Sequence, residues 1–304
     1  MRTTAQTQAP AIAAPSGNDP ITLTLKDLPD KVGDGSEVDC VVSDDLTYRY
    51  SRLGVFLKGL HASASGHIHM VERVLAVNDQ GDATEYRTYV KTLAVRTAIP
   101  AILKDIRVKF PSPDGIRCQG AIVIVKRSPK VTFARADGQP LTNADRVYLG
   151  LFYDPVRRAP ADETAFDPGH PVRVGDSWTP DPTASAAVLS NGDIVLDPED
   201  LKVAMSYDSR GPFLGTDAAT VTMTAHADSL TSQDADSVLN DPSGTADLTM
   251  TFILPAAIPG RMLAIKRISV LDRAGLSKNP RLEGVDEDMR ITHLWKWQLV
   301  RELH

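Results

Sequence analysis

Apolar and polar residues alternate with a period of two along most of this chain. Ile21 to Leu25 sets Ile, Leu and Leu against threonines, then breaks at Asp27-Leu28-Pro29. From His67 to Val77, Ile68, Met70, Val74 and Ala76 share one face, interrupted by Glu72. Asn78-Asp79-Gln80-Gly81 reads as a turn, and Glu85 to Val95 returns as the second strand of a hairpin. Ile116 to Val125 is a further run ending at Ser128-Pro129, and Val131 to Phe133 meets an Asp137-Gly138 turn. Beyond the midpoint the style repeats. Leu201, Val203, Met205 and Tyr207 lie on one face; Lys202, Ala204, Ser206 and Asp208 lie on the other. Thr220 to His226, Thr245 to Leu254, Met262 to Leu271 and Ile291 to Val300 follow. Successive strand side chains point to opposite sides, so this patterning predicts antiparallel sheets with one buried face. The load of Val, Ile and Thr agrees. The fold class expected is mainly β, with two similar halves and one or two short helices.

One helix stands out. Thr142 or Asn143 can cap it, with Asp145 as capping-box partner. Ala144, Val147, Tyr148, Leu151 and Phe152 form its apolar stripe, and Asp154-Pro155 ends it. Asp197-Pro198-Glu199-Asp200 predicts a single helical turn before the Leu201 strand. The organisation expected is a disordered leader over 1–19, a β-rich half over 20–158, a polar, Pro-rich junction over 159–178 and a second β-rich half over 179–304. Val32-Gly33-Asp34 recurs as Val174-Gly175-Asp176, each followed by a polar stretch and a hairpin. A three-residue match is feeble alone; the shared order of features is what suggests related halves.

Length, at 304 residues, allows one large β domain or two smaller ones. A hydrophobic content of 42% supports a real core. With 33 basic against 39 acidic residues, the chain lacks the basic footprint of a nucleic-acid binder. The pairs Lys126-Arg127, Arg157-Arg158 and Lys266-Arg267 read as solvated strand faces or loop rims. No apolar run approaches the ~20 residues of a membrane-spanning helix. Met1 to Asp19 is rich in Ala, Thr, Gln and Pro without an apolar core, so it reads as a flexible leader and not as a signal peptide. The favoured expectation is an exported protein whose signal has been removed; the other is a cytosolic protein with a disordered arm. Cys40 and Cys118 read as buried thiols, with a single bridge as the alternative in an oxidising compartment.

Candidate chemistry is sparse. His67 and His69, two apart on a strand, point the same way and form the best metal hint, with His61 nearby. No third ligand is placed by spacing, and zinc needs one. The acidic clusters Asp193, Asp197, Glu199, Asp200 and Asp286, Glu287, Asp288 do not fit a calcium loop. There is no G-x-S-x-G nucleophile motif and no phosphate-binding glycine loop. Aromatics total only 6% of the chain, fewer than a sugar-binding sheet displays. The final strand puts Trp295 and Trp297 on one face with Ile291, His293 and Leu299, either for core packing or as a lipid or partner surface. No catalytic residue and no cofactor is assigned.

Pro171-Val172-Arg173-Val174-Gly175-Asp176-Ser177-Trp178 resembles a segment, P-V-x-V-G-D-S-W, of exported bacterial β-rich proteins of uncharacterised function. Within it Val174, Gly175, Asp176 and Trp178 are expected to form a strand, a turn ordered by the Asp carboxylate, and a buried aromatic anchor. The resemblance implies an exported, periplasmic or extracellular protein and carries no functional residue. More distantly, a long antiparallel sheet with a helix is similar to periplasmic lipoprotein-carrier folds, where a sheet holds acyl chains under a helical lid. The functional expectation is a non-enzymatic module of the cell envelope, structural or binding, with an unknown protein or hydrophobic ligand as partner. The alternatives are a periplasmic carrier of a hydrophobic ligand and a metal-dependent enzyme.

Overall fold

Strands with one apolar face need a surface to bury it, and here a single sheet supplies it. A computed structural model of the chain describes residues 19–25, 29–52, 55–100, 110–128, 130–153, 163–190, 194–232, 239–256, 262–277 and 288–303. In chain order the strands are β1 (Gly35–Arg52), β2 (Val55–Val77), β3 (Ala83–Ala98), β4 (Ile122–Lys126), β5 (Thr132–Arg135), β6 (Ser177–Trp178), β7 (Ile194–Leu196), β8 (Leu201–Phe213), β9 (Thr216–Ser232), β10 (Leu239–Pro255), β11 (Ala264–Ser277) and β12 (Asp288–Leu303). Among the described residues two α-helices, α1 (Asn143–Gly150) and α2 (Pro182–Leu189), interrupt them. The strands form one antiparallel 12-stranded sheet in the order β5-β4-β3-β2-β1-β12-β11-β10-β9-β8-β6, with β7 on β9. The sheet is thus two meanders joined where the first long strand meets the last. Among the described residues, no helix is long and apolar enough to cross a membrane.

The register gathers most of the apolar side chains on one face from end to end. Val123, Thr88, Glu72 and Ser36 lie in one cross-strand row; Val90, Met70, Val38 and Arg301 lie in the next. The rows continue through Trp297, Arg267, Met250, Met223 and Met205 to Trp178. Two clusters of buried side chains sit on this inner face. One gathers Val38, Cys40, Ile68, Met70, Val90 and Val123 under α1. The other gathers Val203, Met205, Tyr207, Val221, Met223 and Phe252 under α2. At ~1.5–3 kcal/mol for each large apolar side chain taken from water, each cluster is a core in its own right.

The termini interlock these cores. Ile21–Leu25 is not a strand of the sheet: Ile21 makes one bridge to Val172, and Leu25 N–H donates to Asp167 Oδ1 at 2.7 Å. Leu23 and Leu25 are buried in the C-terminal cluster, so this segment belongs by packing to the second half and not to the first. Conversely, Trp295, Trp297 and Leu299 of the last strand pack against the N-terminal cluster.

Helix α1 follows the sequence expectation. Thr142 Oγ1 accepts from Asp145 N–H at 3.0 Å, and Asp145 Oδ2 accepts from Thr142 N–H at 2.9 Å. Tyr148 and Leu149 are fully buried. Phe152 stands on Gly66, where an added Cβ would meet its ring at 2.9 Å, so only glycine lets the lid come this close. Helix α2 has a clear start at Asp181, whose side chain caps Ala184 N–H, and Pro182. Its body is apolar nearly all round, which removes the amphipathic signal and suits a buried helix. Asp197–Asp200 forms a turn, with Asp197 Oδ1 accepting from Glu199 N–H at 3.0 Å. The face shared by Ile68, Met70 and Val74 does not reach Ala76: a bulge after Val74 shifts the register, and Ala76 pairs with Glu85. The breaks proposed at Asp27-Leu28 and Asp154-Pro155, and the leader over 1–18, lie outside the described residues.

The Val-Gly-Asp recurrence is structural as well as textual. Gly33 and Gly175 have φ of +97° and +95°, a conformation glycine adopts without steric cost. Gly33 N–H donates to Val74 O at 2.9 Å, and Val74 N–H returns to Asp34 O at 2.9 Å. Gly175 N–H donates to Tyr207 O at 2.7 Å, and Tyr207 N–H returns to Asp176 O at 2.9 Å. The carboxylates complete the match: Asp34 Oδ2 accepts from Lys31 N–H at 2.7 Å and Asp176 Oδ2 from Arg173 N–H at 2.8 Å.

Two expected outcomes follow for stability. Asp34→Ala and Asp176→Ala each remove an exposed carboxylate-to-backbone bond, and the loss of that bond costs about 1 kcal/mol in urea unfolding. A difference between them above ~1 kcal/mol would show that the turns carry unequal loads. Separately, the Tyr207 hydroxyl is buried in the C-terminal cluster with no hydrogen-bond partner among the described residues. An unpaired buried hydroxyl costs ~1–3 kcal/mol, so Tyr207→Phe is expected to raise the unfolding midpoint; a lowered midpoint refutes the assignment.

Candidate functional site

Opposite positions of the sheet differ in chemistry. The outer face carries several ion pairs. His67 Nε2 meets Asp39 Oδ2 at 2.9 Å, and His69 Nε2 meets Glu37 Oε1 at 2.5 Å, with Lys91 Nζ on the same Glu37 oxygen at 2.5 Å. Hydrogen bonds from Lys91 and His69 hold the Glu37 carboxyl below its usual range. His226 lies between Asp247 at 2.7 Å and Asp228 at 3.0 Å, and these bonds raise its pKa. His67 and His69 do share a face, as a metal pair would, but each is taken up by a different carboxylate. His61 lies 3.5 Å from Asp45. Among the described residues, no group of three or more His, Cys, Asp and Glu is arranged to hold a metal ion.

The junction motif is structural in its contacts. Val172 is buried and Val174 packs against the C-terminal cluster. Trp178 is half-buried rather than fully enclosed: its ring packs on the same cluster while Nε1 donates to Phe166 O at 2.8 Å. It sits on the sheet's last, two-residue strand, so one side has no neighbour to cover it. Cys40 and Cys118 are both buried and free, and burial pushes the Cys118 thiol up to about 12. Of the acidic clusters, Asp200 accepts from the Ser229 hydroxyl at 2.5 Å; Asp193 lies outside the described residues, as do Asp286 and Glu287.

The inner face holds two polar features. The first is buried. Glu72, which looked like an interruption of an apolar face, points inward with its neighbours and is 5% exposed. Tyr153, just past α1, donates to Glu72 Oε1 at 2.5 Å and lies 3.0 Å from Thr88 Oγ1. Tyr153 Oη is also 3.2 Å from Met70 Sδ. Burial raises the Glu72 pKa; the Tyr153 bond and the charges of Arg301 and Arg127 oppose this without cancelling it. The network pins the end of the α1 lid to the second strand.

The second feature is the seam between the two cores. β11 and β12 lie between the N-terminal lid and the C-terminal lid, and their inner side chains from Ile265 to Arg273 and from His293 to Arg301 are only half-buried, while Ile291 is buried. Trp295 and Trp297 stand parallel, with ring centroids 6.4 Å apart and planes 8° apart. The Arg267 guanidinium lies over the Trp295 ring at 5.3 Å. Leu299, Ile265, Leu271 and Met250 extend the apolar strip, and His293 Nε2 meets Asp44 Oδ1 at 2.8 Å beside it. Lys266-Arg267 is therefore not one solvated pair. Adjacent strand residues take opposite faces, so Lys266 is exposed on the outside while Arg267 enters the seam. Lys126-Arg127 divides similarly: Lys126 reaches Glu85 at 3.5 Å, and Arg127 bonds the Tyr86 hydroxyl at 3.3 Å. Arg157-Arg158 lies outside the described residues.

No protein-family model matches the chain, and no curated protein matches it. Among solved structures, the crystal structure of Pseudomonas aeruginosa OccK11 (OpdR) aligns over 90% of this chain and 100% of that chain, at 7% identity and a TM-score of 0.20. At that score the alignment carries no structural or functional argument.

Glu72 makes a pH-dependent prediction. Its folded pKa lies above the unfolded value, so its stabilising contribution is full below the ordinary carboxyl range and is lost as pH rises through the folded value. Glu72→Gln removes this titration while keeping the shape. Relative to the parent, the variant is expected to gain stability steadily between acidic and neutral pH in urea unfolding. A difference independent of pH refutes a raised Glu72.

Proposed function

We propose that this protein is a non-enzymatic binding module that takes a hydrophobic ligand along the seam of β11 and β12. The observation that carries the reading is the break in cover, among the described residues, along one largely apolar face. Each half roofs its own strands with a helix and loops, yet the two central strands between the roofs keep Trp295, Trp297, Leu299 and Ile265 half-buried. A sheet built only for structure gains by covering such side chains, at ~25 cal/mol for each Å² withdrawn from water. Leaving them half-open favours a ligand that completes the burial, and aromatic side chains beside a few polar groups are what such sites use. The setting proposed is exported, on the resemblance of Pro171 to Trp178; fractionation of the native host tests this independently.

The chain has three tryptophans, two of them in the seam, so fluorescence reports on the site directly. Titration of the full chain with oleate and with its neutral methyl ester is expected to change tryptophan emission saturably. The Trp295→Ala/Trp297→Ala double variant is expected to lose ~10-fold or more in affinity, while Trp178 still reports folding. Absence of binding by either compound up to about 0.1 mM, with the fold intact by circular dichroism, would refute the reading.

A further inference from the structure

The N-terminal roof is fastened differently at its two ends. At the start of α1, Asp145 Oδ1 accepts from Arg117 N–H at 2.7 Å and Cys118 N–H at 2.9 Å. Its Oδ2 accepts from Thr142 N–H at 2.9 Å, and the Thr142 hydroxyl donates to Gly115 O at 2.8 Å. Burial pushes the Asp145 carboxyl up, but these backbone bonds outweigh it and hold the group below its usual range, so this end stays tied at neutral pH. Tyr148 reaches back to the same side, its hydroxyl donating to Pro111 O. The other end is held at Glu72 and Gly66. The Tyr153 hydroxyl donates to the buried Glu72 carboxyl at 2.5 Å, and the Phe152 ring lies on Gly66. Gly66, Val42 and Trp297 share one cross-strand row, so Phe152 covers a point ~10 Å, or two strands, from the open seam.

We infer that Leu149 to Tyr153 form a pH-operated flap on the N-terminal border of the seam, latched while Glu72 is protonated and released as it ionises, baring Val42 beside Trp297. Its use at the seam rests on the binding reading above; the latch itself does not. The groups bearing on Glu72 are Tyr153 on the flap, Tyr86 of β3, Cys40 of β1, Arg127 just past β4 and Arg301 of β12. Burial pushes Tyr86, Tyr153 and Cys40 up, so all three stay neutral where Glu72 titrates, and the arginines stay charged. Burial also raises Glu72 itself, against the Tyr153 bond and both arginines. A carboxyl raised in the closed state and ordinary once solvated makes opening easier as pH rises.

Hydrogen exchange of the full chain tests the latch without a ligand. It is followed over overlapping peptides from about pH 5 to about pH 9 and corrected for the intrinsic pH dependence of exchange. The Leu151 and Phe152 amides, bonded to Tyr148 O and Leu149 O, are expected to lose protection by up to ~10-fold per pH unit while Glu72 releases its proton. The Arg146 amide at the anchored end and the Ser185 amide of α2 are expected to keep theirs. Glu72→Gln is expected to abolish the loss. Tyr153→Phe, which keeps the ring, is expected to lower flap protection already at the acidic end. Flap protection that does not fall with pH, falls equally in Glu72→Gln, falls together with Arg146 and Ser185, or is unchanged by Tyr153→Phe overturns the latch. Methyl oleate, neutral throughout, then probes the seam. The parent is expected to bind it ~3-fold or more tighter at the alkaline end than at the acidic end, and Glu72→Gln equally at both. Constant parent affinity beside an opening flap overturns the coupling to the seam. An opening flap with no binding at any pH leaves the latch standing and sinks the binding reading.

Discussion

The β1–β12 ladder is the constraint on which the rest of this structure depends. It runs from Ser36 opposite Leu303 to Ser51 opposite Asp288, bringing together strands from opposite ends of the chain. Without it there would be two open meanders, each with a long unpaired edge, the arrangement that invites aggregation. With it there is one sheet that ends, among the described residues, on strands of four and two residues. The loop that closes this contact is almost the whole chain. Closure entropy grows only slowly with length, and a ladder of this extent outweighs it.

The same ladder creates the seam. Each half roofs its own strands: α1, Tyr148 and Phe152 on one side, and α2 with Leu23, Leu25 and Phe166 on the other. Neither roof is centred on the joint. The joint therefore collects side chains that neither lid among the described residues fully covers, and those on the inner face are aromatic, aliphatic and cationic. The interlocked termini fix the spacing of the two roofs, since Leu23 and Leu25 are anchored in one core while Trp295 and Trp297 lean on the other. The width of the open strip is in this sense set by the topology.

Glu72 and Tyr153 add a polar lock inside an otherwise apolar core. Burying a carboxyl costs free energy, and the hydrogen bonds around it recover part of that cost. What they secure is position. Tyr153 follows α1 directly, so tying its hydroxyl to the second strand sets where the N-terminal roof stops. Gly66 beneath Phe152 does the same by shape. One contact specifies by polarity and the other by the absence of a Cβ, and together they leave the lid little freedom to slide over the seam.

Local physics determined much of this protein. Strict alternation at Leu201, Val203, Met205 and Tyr207 identifies a strand with one buried face, because side-chain direction has a period of two. Thr142, Asp145 and the stripe through Tyr148 specify α1, because capping and amphipathicity act over a few residues. The shared face of Trp295 and Trp297 was equally legible. Helix α2 was not: its apolar residues run all round, so no periodicity distinguishes it. Glu72 looked like a break in a pattern because its hydrogen-bonding partners Thr88 and Tyr153 are 16 and 81 residues away. Arg267 looked like half of a solvated pair because nothing nearby in sequence says which face of its strand is covered. Strand pairing decided that, by placing the last strand beside the first and leaving Arg267 and the two tryptophans between two roofs. Local patterns state which way a side chain points; only the long-range ladder decides what it meets there.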